Sequence, residues 1–283
     1  MRAVPTIAAL ALALALAAAP AFAEPRYAWR KAQPVAGGDT LAARFAPPAG
    51  FERRPVRQDS FAAWLRGLPM QPAGAPVLLF NGALKPRQDV HAAVIDIDVG
   101  TRDLQQCADA AMRLRAEWLF TSGRAEKIAF NDTGSARPIA FARWMAGDRP
   151  RPSGRALAWT RSAPPDSSYA SFRRYMDTVF AWAGTHSLER EMRPVPLAEI
   201  AAGDLFIKGG FPGHAVIVAD IAENQATGER RFLLLQSFMP AQEIHVLKNL
   251  QAADGSPWYP LDFGDRLVTP EWTFPRDSLR RWR

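Results

Sequence analysis

The sequence predicts an α+β fold, with an antiparallel β-sheet and packed helices in the C-terminal half and a mixed α/β region before it. Three observations carry this. Short apolar runs separated by turn residues fill positions 205–247, as in strands of a compact sheet. Segments 104–120 and 169–183 instead place apolar residues at helical spacing. The first half interleaves brief strand and helix signals.

Taken in order, residues 24–50 are rich in Pro, Gly and Ala and read as an extended arm with one strand at 40–45. Asp59 or Ser60 caps a short helix at 61–68, whose Phe61, Trp64, Leu65 and Leu68 share a face before Pro69 ends it. Asn81-Gly82 between Val77–Phe80 and Ala83-Leu84 signals a hairpin, since that pair accepts the positive φ angles of a type I′ turn. A strand is expected at 91–99 and a helix at about 104–120, with Asp103 and Gln106 as a capping box and Cys107 in or just after the first turn. Short strands at 130–145 lead into a Pro/Arg/Ser/Gly-rich surface connection at 148–165. A second helix at 169–183 carries Phe172, Tyr175, Met176, Val179 and Phe180 and ends at Gly184. Strands follow at 205–208, 215–221, 231–237 and 243–247, with a turn at 224–229 and a surface tail at 256–283.

The first 23 residues read as a cleavable export signal. Arg2 supplies the positive start, residues 6–19 an apolar Ala/Leu run too short for a permanent anchor, and Ala21-Phe22-Ala23 the small-x-small cleavage pattern. The expectation is therefore a periplasmic or secreted protein cut after Ala23. Residues 24–283 form a single domain, divided into 24–147, a connection at 148–166, and a β-rich 167–283. The formal charge of +7 falls to +6 without Arg2 and is spread with no long run of one sign. This suits an anionic envelope; neither nucleic acid nor stable membrane insertion after cleavage is expected, and the oligomeric state is left open. There is no P-loop, dinucleotide fingerprint or zinc spacing, so no cofactor and no metal are expected.

The 283 residues include one cysteine, Cys107. In an oxidising compartment it cannot form an internal disulfide, which leaves packing, an intermolecular link, or reactivity. At a helix N-terminus the free N–H groups favour the thiolate, and Gln105 and Gln106 could donate to an oxyanion. His214 opens an apolar strand next to a glycine loop (Gly209, Gly210, Gly213), a position from which an imidazole can face a cleft while the strand fixes its ring. Gln236 ends the next strand and can orient that ring, with Ser237 as a reserve. Asp96 and Asp98 share a strand face and read as solvated; Arg113 and Glu117, one turn apart, read as a surface pair.

The segment Val195-Pro196-Leu197-Ala198-Glu199-Ile200-Ala201-Ala202-Gly203-Asp204-Leu205-Phe206-Ile207, followed by Gly213-His214-Ala215-Val216-Ile217-Val218, resembles the central part of NlpC/P60-type, papain-like cell-wall peptidases. The resemblance implies a papain-like sheet with His214 as general base. It also implies a cysteine at the start of the helix before the Gly-Asp-Leu strand, where this chain has Ser167, Ser168 and Ser171. The pocket is then dead, or a serine such as Ser168 or Ser171 replaces the thiol, or Cys107 enters from the earlier helix. The mature chain also resembles an exported bacterial family known as domain of unknown function 4846. That resemblance rests on Asp103-Leu104-Gln105-Gln106-Cys107-Ala108-Asp109-Ala110 with Arg113-Leu114-Arg115-Ala116-Glu117, then Pro212-Gly213-His214-Ala215-Val216-Ile217-Val218, Gln236-Ser237-Phe238-Met239-Pro240-Ala241-Gln242-Glu243 and Ser256-Pro257-Trp258-Tyr259. The functional expectation is a cysteine hydrolase or acyltransferase acting on an envelope amide such as a peptidoglycan stem peptide, with Cys107 as nucleophile, His214 as base and Gln236 as orienter. The alternative is a non-catalytic envelope protein using a degenerate papain-like fold to bind glycan or peptide.

Overall fold

The computed structural model describes residues 27–30 and 39–283; residues 1–23, read from the sequence as an export signal, lie outside the described residues. The fold is α+β. Its helices are α1 (Leu41–Arg44), α2 (Phe61–Arg66), α3 (Cys107–Thr121), α4 (Phe141–Met145), α5 (Tyr169–Trp182) and α6 (Thr185–Glu191). The strands of the first part are β1 (Glu52–Arg53), β2 (His91–Val94), β3 (Ala129–Asn131), β4 (Pro138–Ala140), β5 (Asp148–Ser153) and β6 (Ala156–Arg161). Those of the second are β7 (Arg193–Pro194), β8 (Leu205–Lys208), β9 (His214–Glu223), β10 (Arg230–Gln236), β11 (His245–Leu247), β12 (Tyr259–Pro260), β13 (Arg266–Val268), β14 (Thr273–Pro275) and β15 (Leu279–Arg281).

The main sheet runs β2-β11-β10-β9-β8-β15-β7, with β1 also on β9 and β12 also on β10, and every pairing is antiparallel. Its centre, β9, is buried on both faces. Ala215, Ile217 and Ala219 face a large core shared with α2, α3 and α5; Val216 and Val218 face a second core with Phe206, Phe232, Leu267 and Phe274. Helices thus cover one face and the C-terminal segment the other. A register shift opposite Leu233/Leu234 leaves Ala219 without a cross-strand partner. The extra residue lets Asp220 reach Arg53 and Arg66, whose Nε atoms each lie 2.6 Å from its carboxylate.

Several local expectations change. Residues 40–45, read as a strand, form α1: Thr40 caps Ala43 N–H at 3.2 Å, and Leu-Ala-Ala-Arg has high helical propensity. The surface connection at 148–165 holds a hairpin, β5–β6, in six-residue register. The turn at Asn81-Gly82 supports only one bridge, Leu78 to Leu84; Gly82 alone takes positive φ, so the turn is not type I′. The tail does more than wrap the surface, since β12 and β15 join the main sheet. Ser60, not Asp59, caps α2, accepting from Ala63 N–H at 3.1 Å.

Candidate functional site

A cleft of about 440 Å³ opens at the N-terminus of α3. The chain arrives extended at Gln106, whose N–H donates to the Asp109 carboxylate at 3.0 Å, so Cys107 becomes the first helical residue. Cys107 Sγ lies 3.9 Å from the Gly213 carbonyl oxygen, at the start of β9. Gly213 must be glycine there: an added Cβ would stand 2.3 Å from Thr185 Oγ1 and 2.7 Å from the Lys208 carbonyl. Asp103, Gln106, Asp109 and Thr185 supply polar lining, while Phe211 and Met239, 85% and 44% exposed, stand at the rim. One carboxylate oxygen of Asp109 has no hydrogen-bond partner.

Burial pushes the Cys107 thiol up to about 11, and the Asp109 charge adds to this; the amides of Ala108 and Ala215 pull more weakly the other way. Asp109 itself is raised to about 8 by burial, against the capping hydrogen bond. The helix N-terminus does not outweigh desolvation at either group.

His214 opens the same strand, on the face opposite that of Ala215. Side chains alternate along a strand, so His214 shares the side of Val216 and Val218, while Ala215 turns toward α3. Its imidazole is enclosed by Phe238, Trp272 and Phe274, with ring centroids 4.9, 5.3 and 5.7 Å away. Gln236 lies 2.9 Å from Nε2. The Gln236 amide nitrogen donates to Glu271 at 2.7 Å, and a carboxylate only accepts, so its oxygen must face the ring and Nε2 must carry the proton. Glu271 is held in turn by Lys85 Nζ at 2.6 Å. Burial lowers His214 to about 4, with Lys85 adding to the effect against the Gln236 hydrogen bond. Its remaining nitrogen, Nδ1, is buried without a partner.

The structure therefore brings His214 and Gln236 together and sets the Cys107 thiol against the backbone on either side of His214, at the Gly213 carbonyl and the Ala215 amide. No hydrogen bond joins Sγ to the imidazole, since Nε2 is engaged by Gln236 and Nδ1 is unpartnered. The serines do not substitute. Ser168 caps α5 by accepting from Ser171 N–H, and buried Ser171 accepts from Trp144 Nε1–H at 3.0 Å. Ser237 donates to the Gln242 carbonyl at 2.8 Å. Gln105 turns inward to accept from Arg113 at 3.0 Å, so only Gln106 lines the cleft. Lys85 and Glu271, which anchor the imidazole chain, carry no sequence spacing that could announce them.

The Arg113–Glu117 pair differs most from expectation. Both side chains are fully buried, with Nε to Oε1 at 2.7 Å, because this face of α3 packs toward α5. Tyr169 donates to Glu117 at 2.8 Å, and Asp98 takes Arg113 at 3.2 Å and Arg173 at 3.1 Å. Asp96 pairs with Arg30. The two aspartates thus serve ion pairs, although each keeps about half its side chain in solvent.

The family model of domain of unknown function 4846 matches residues 41–281. The chain belongs to that family. No curated protein and no solved structure matches the chain. The family span takes in the cleft, the His214 chain and the buried Arg113 network together. Among the described residues no helix is long and apolar enough to cross a membrane.

Proposed function

We propose that the protein is an exported, non-catalytic binding module of the cell envelope, whose degenerate papain-like fold holds a short peptide, of the peptidoglycan stem class, in the cleft at the N-terminus of α3. The observation that carries this is the missing thiol–imidazole bond: Cys107 Sγ meets the Gly213 carbonyl, and His214 Nδ1 is buried without a partner. A cysteine hydrolase needs the imidazole within hydrogen-bond reach of the thiol. Here the ring is enclosed by aromatic side chains with no bond to the thiol, and the thiol is pushed up to about 11 by burial. The cleft still has what a peptide site needs: carboxylate and amide groups for backbone N–H and C=O, and an apolar rim at Phe211 and Met239. The order of the Gly203-Asp204-Leu205 strand, His214 strand and Gln236 strand supports the papain-like ancestry, and the sequence of residues 1–23 supports export.

Calorimetric titration of purified muropeptides tests the reading. Saturable binding without turnover is expected, weakened by Phe211→Ala, a change at an exposed side chain that leaves the fold intact. Turnover that Cys107→Ala abolishes would restore the hydrolase reading, with Cys107 as nucleophile, His214 as base and Gln236 as orienter.

A further inference from the structure

A second cavity, of about 280 Å³, lies further along α3 and collects positive charge from several elements. Arg115 projects from α3, Arg124 and Lys127 follow in the turn after it, and Arg283 arrives on the C-terminal segment; no Asp or Glu lines the cavity. Phe130 and Trp282 supply aromatic wall. Eight residues of helix separate Arg115 from Cys107, about 12 Å along the axis, so this is a different place from the cleft above.

The charges here lack counter-charges. Among the described residues, no ion pair involves Arg115, Arg124 or Lys127, although the chain's other arginines pair widely. The Arg115 guanidinium instead sits over Trp118 at 4.5 Å and within 5.7 Å of the Trp282 ring; Arg124 covers Trp118 at 3.9 Å. Ring contacts hold the two guanidinium planes in place but do not neutralise them. Burial lowers Arg115 to about 10, and the charge of Arg124 adds to that. Arg283 has Glu191 within electrostatic reach, so the uncompensated set is Arg115, Arg124 and Lys127.

We propose that this cavity binds a phosphate group, with the substituent of a phosphate ester resting against Phe130 and Trp282. Guanidinium forks match phosphate oxygens bidentately, and a dianion compensates converging cations that one carboxylate would leave in excess. The cavity is larger than a phosphate alone, which leaves room for the ester group. The phosphate belongs either to a soluble ester or to a lipid headgroup, and the chemistry recognised is the same.

Glycerol 3-phosphate, inorganic phosphate and phosphatidylglycerol vesicles should each be titrated into the full protein, following tryptophan fluorescence, since Trp118 and Trp282 border the charges. Saturable binding is expected, weakened at least tenfold by Arg115→Met and by Lys127→Met, and unchanged by Arg57→Met, an exposed arginine paired with Asp59 elsewhere. Lys127 is exposed, so its variant reports on the site even if Arg115→Met perturbs the fold. Lys127-dependent binding to vesicles alone would assign the lipid source, and to the soluble ester the free one. Absence of saturable binding in every arm, equal loss in the Arg57 variant, or equally tight binding of succinate would overturn the proposal.

Discussion

Arg113 carries its charge with no exposure to solvent, and it can do so only because its surroundings are negative. Burial alone would weaken the guanidinium's hold on its proton, but Glu117, Tyr169 and Asp98 raise it well above its ordinary value. Breaking a buried pair leaves an uncompensated ion, which costs more than the pair contributes over two apolar groups. Arg113→Met should therefore destabilise the fold by about 3–5 kcal/mol in urea denaturation. The double variant Arg113→Met/Glu117→Met should lose less than the single one. A loss below about 1 kcal/mol for the single variant, the range of an exposed pair, would show that α3 does not pack as described.

At the scale of elements, the join between α3 and β9 depends on Gly213. Gly213→Ala would drive a methyl into Thr185 Oγ1 and the Lys208 and Gly210 carbonyls, two of them backbone atoms that cannot swing aside. The expected cost is about 1–3 kcal/mol, with weakened binding in the cleft, read by thermal denaturation and calorimetry. Full stability and unchanged affinity would contradict the cleft's geometry. Strongly patterned elements were legible beforehand: α5 was expected at 169–183 and runs Tyr169–Trp182, and β8 lies where its apolar run put it. Helix α6 was missed because Thr185 and Ser187 supply part of its buried face, leaving little apolar periodicity. The His214–Gln236 partnership was also legible, as two polar residues near the ends of neighbouring strands. The side on which His214 faces was not. A strand buried on both faces has no polar alternation to reveal its orientation, and β9 is buried from His214 through Ala222. Lys85 and Glu271 meet across 186 positions, a contact that only the folded topology creates.

The C-terminal segment links the two cores of the whole molecule. Leu279 fills the second core, while Arg281 clamps Asp204 through two hydrogen bonds of 2.6 and 2.7 Å and Trp282 reaches Phe130 beside the first core. Asp204 belongs to the Gly-Asp-Leu strand motif, so a residue read as a family signature also fastens the tail. Arg281→Met leaves this buried carboxylate without its guanidinium and should lower global stability by about 3–5 kcal/mol while unfolding stays a single transition. Unchanged stability would mean that the tail is accessory to the fold. The functional reading turns on whether the thiol and the imidazole act as a pair, and a single cysteine makes that measurable without ambiguity. The direct measurement is the rate of Cys107 alkylation by iodoacetamide as a function of pH, in the wild type and in His214→Gln. A midpoint near 11, the same in both proteins, is the result the binding-module account requires. A wild-type thiolate already formed at or below about pH 7, and lost in the His214 variant, would contradict it and reveal a working thiol–imidazole pair.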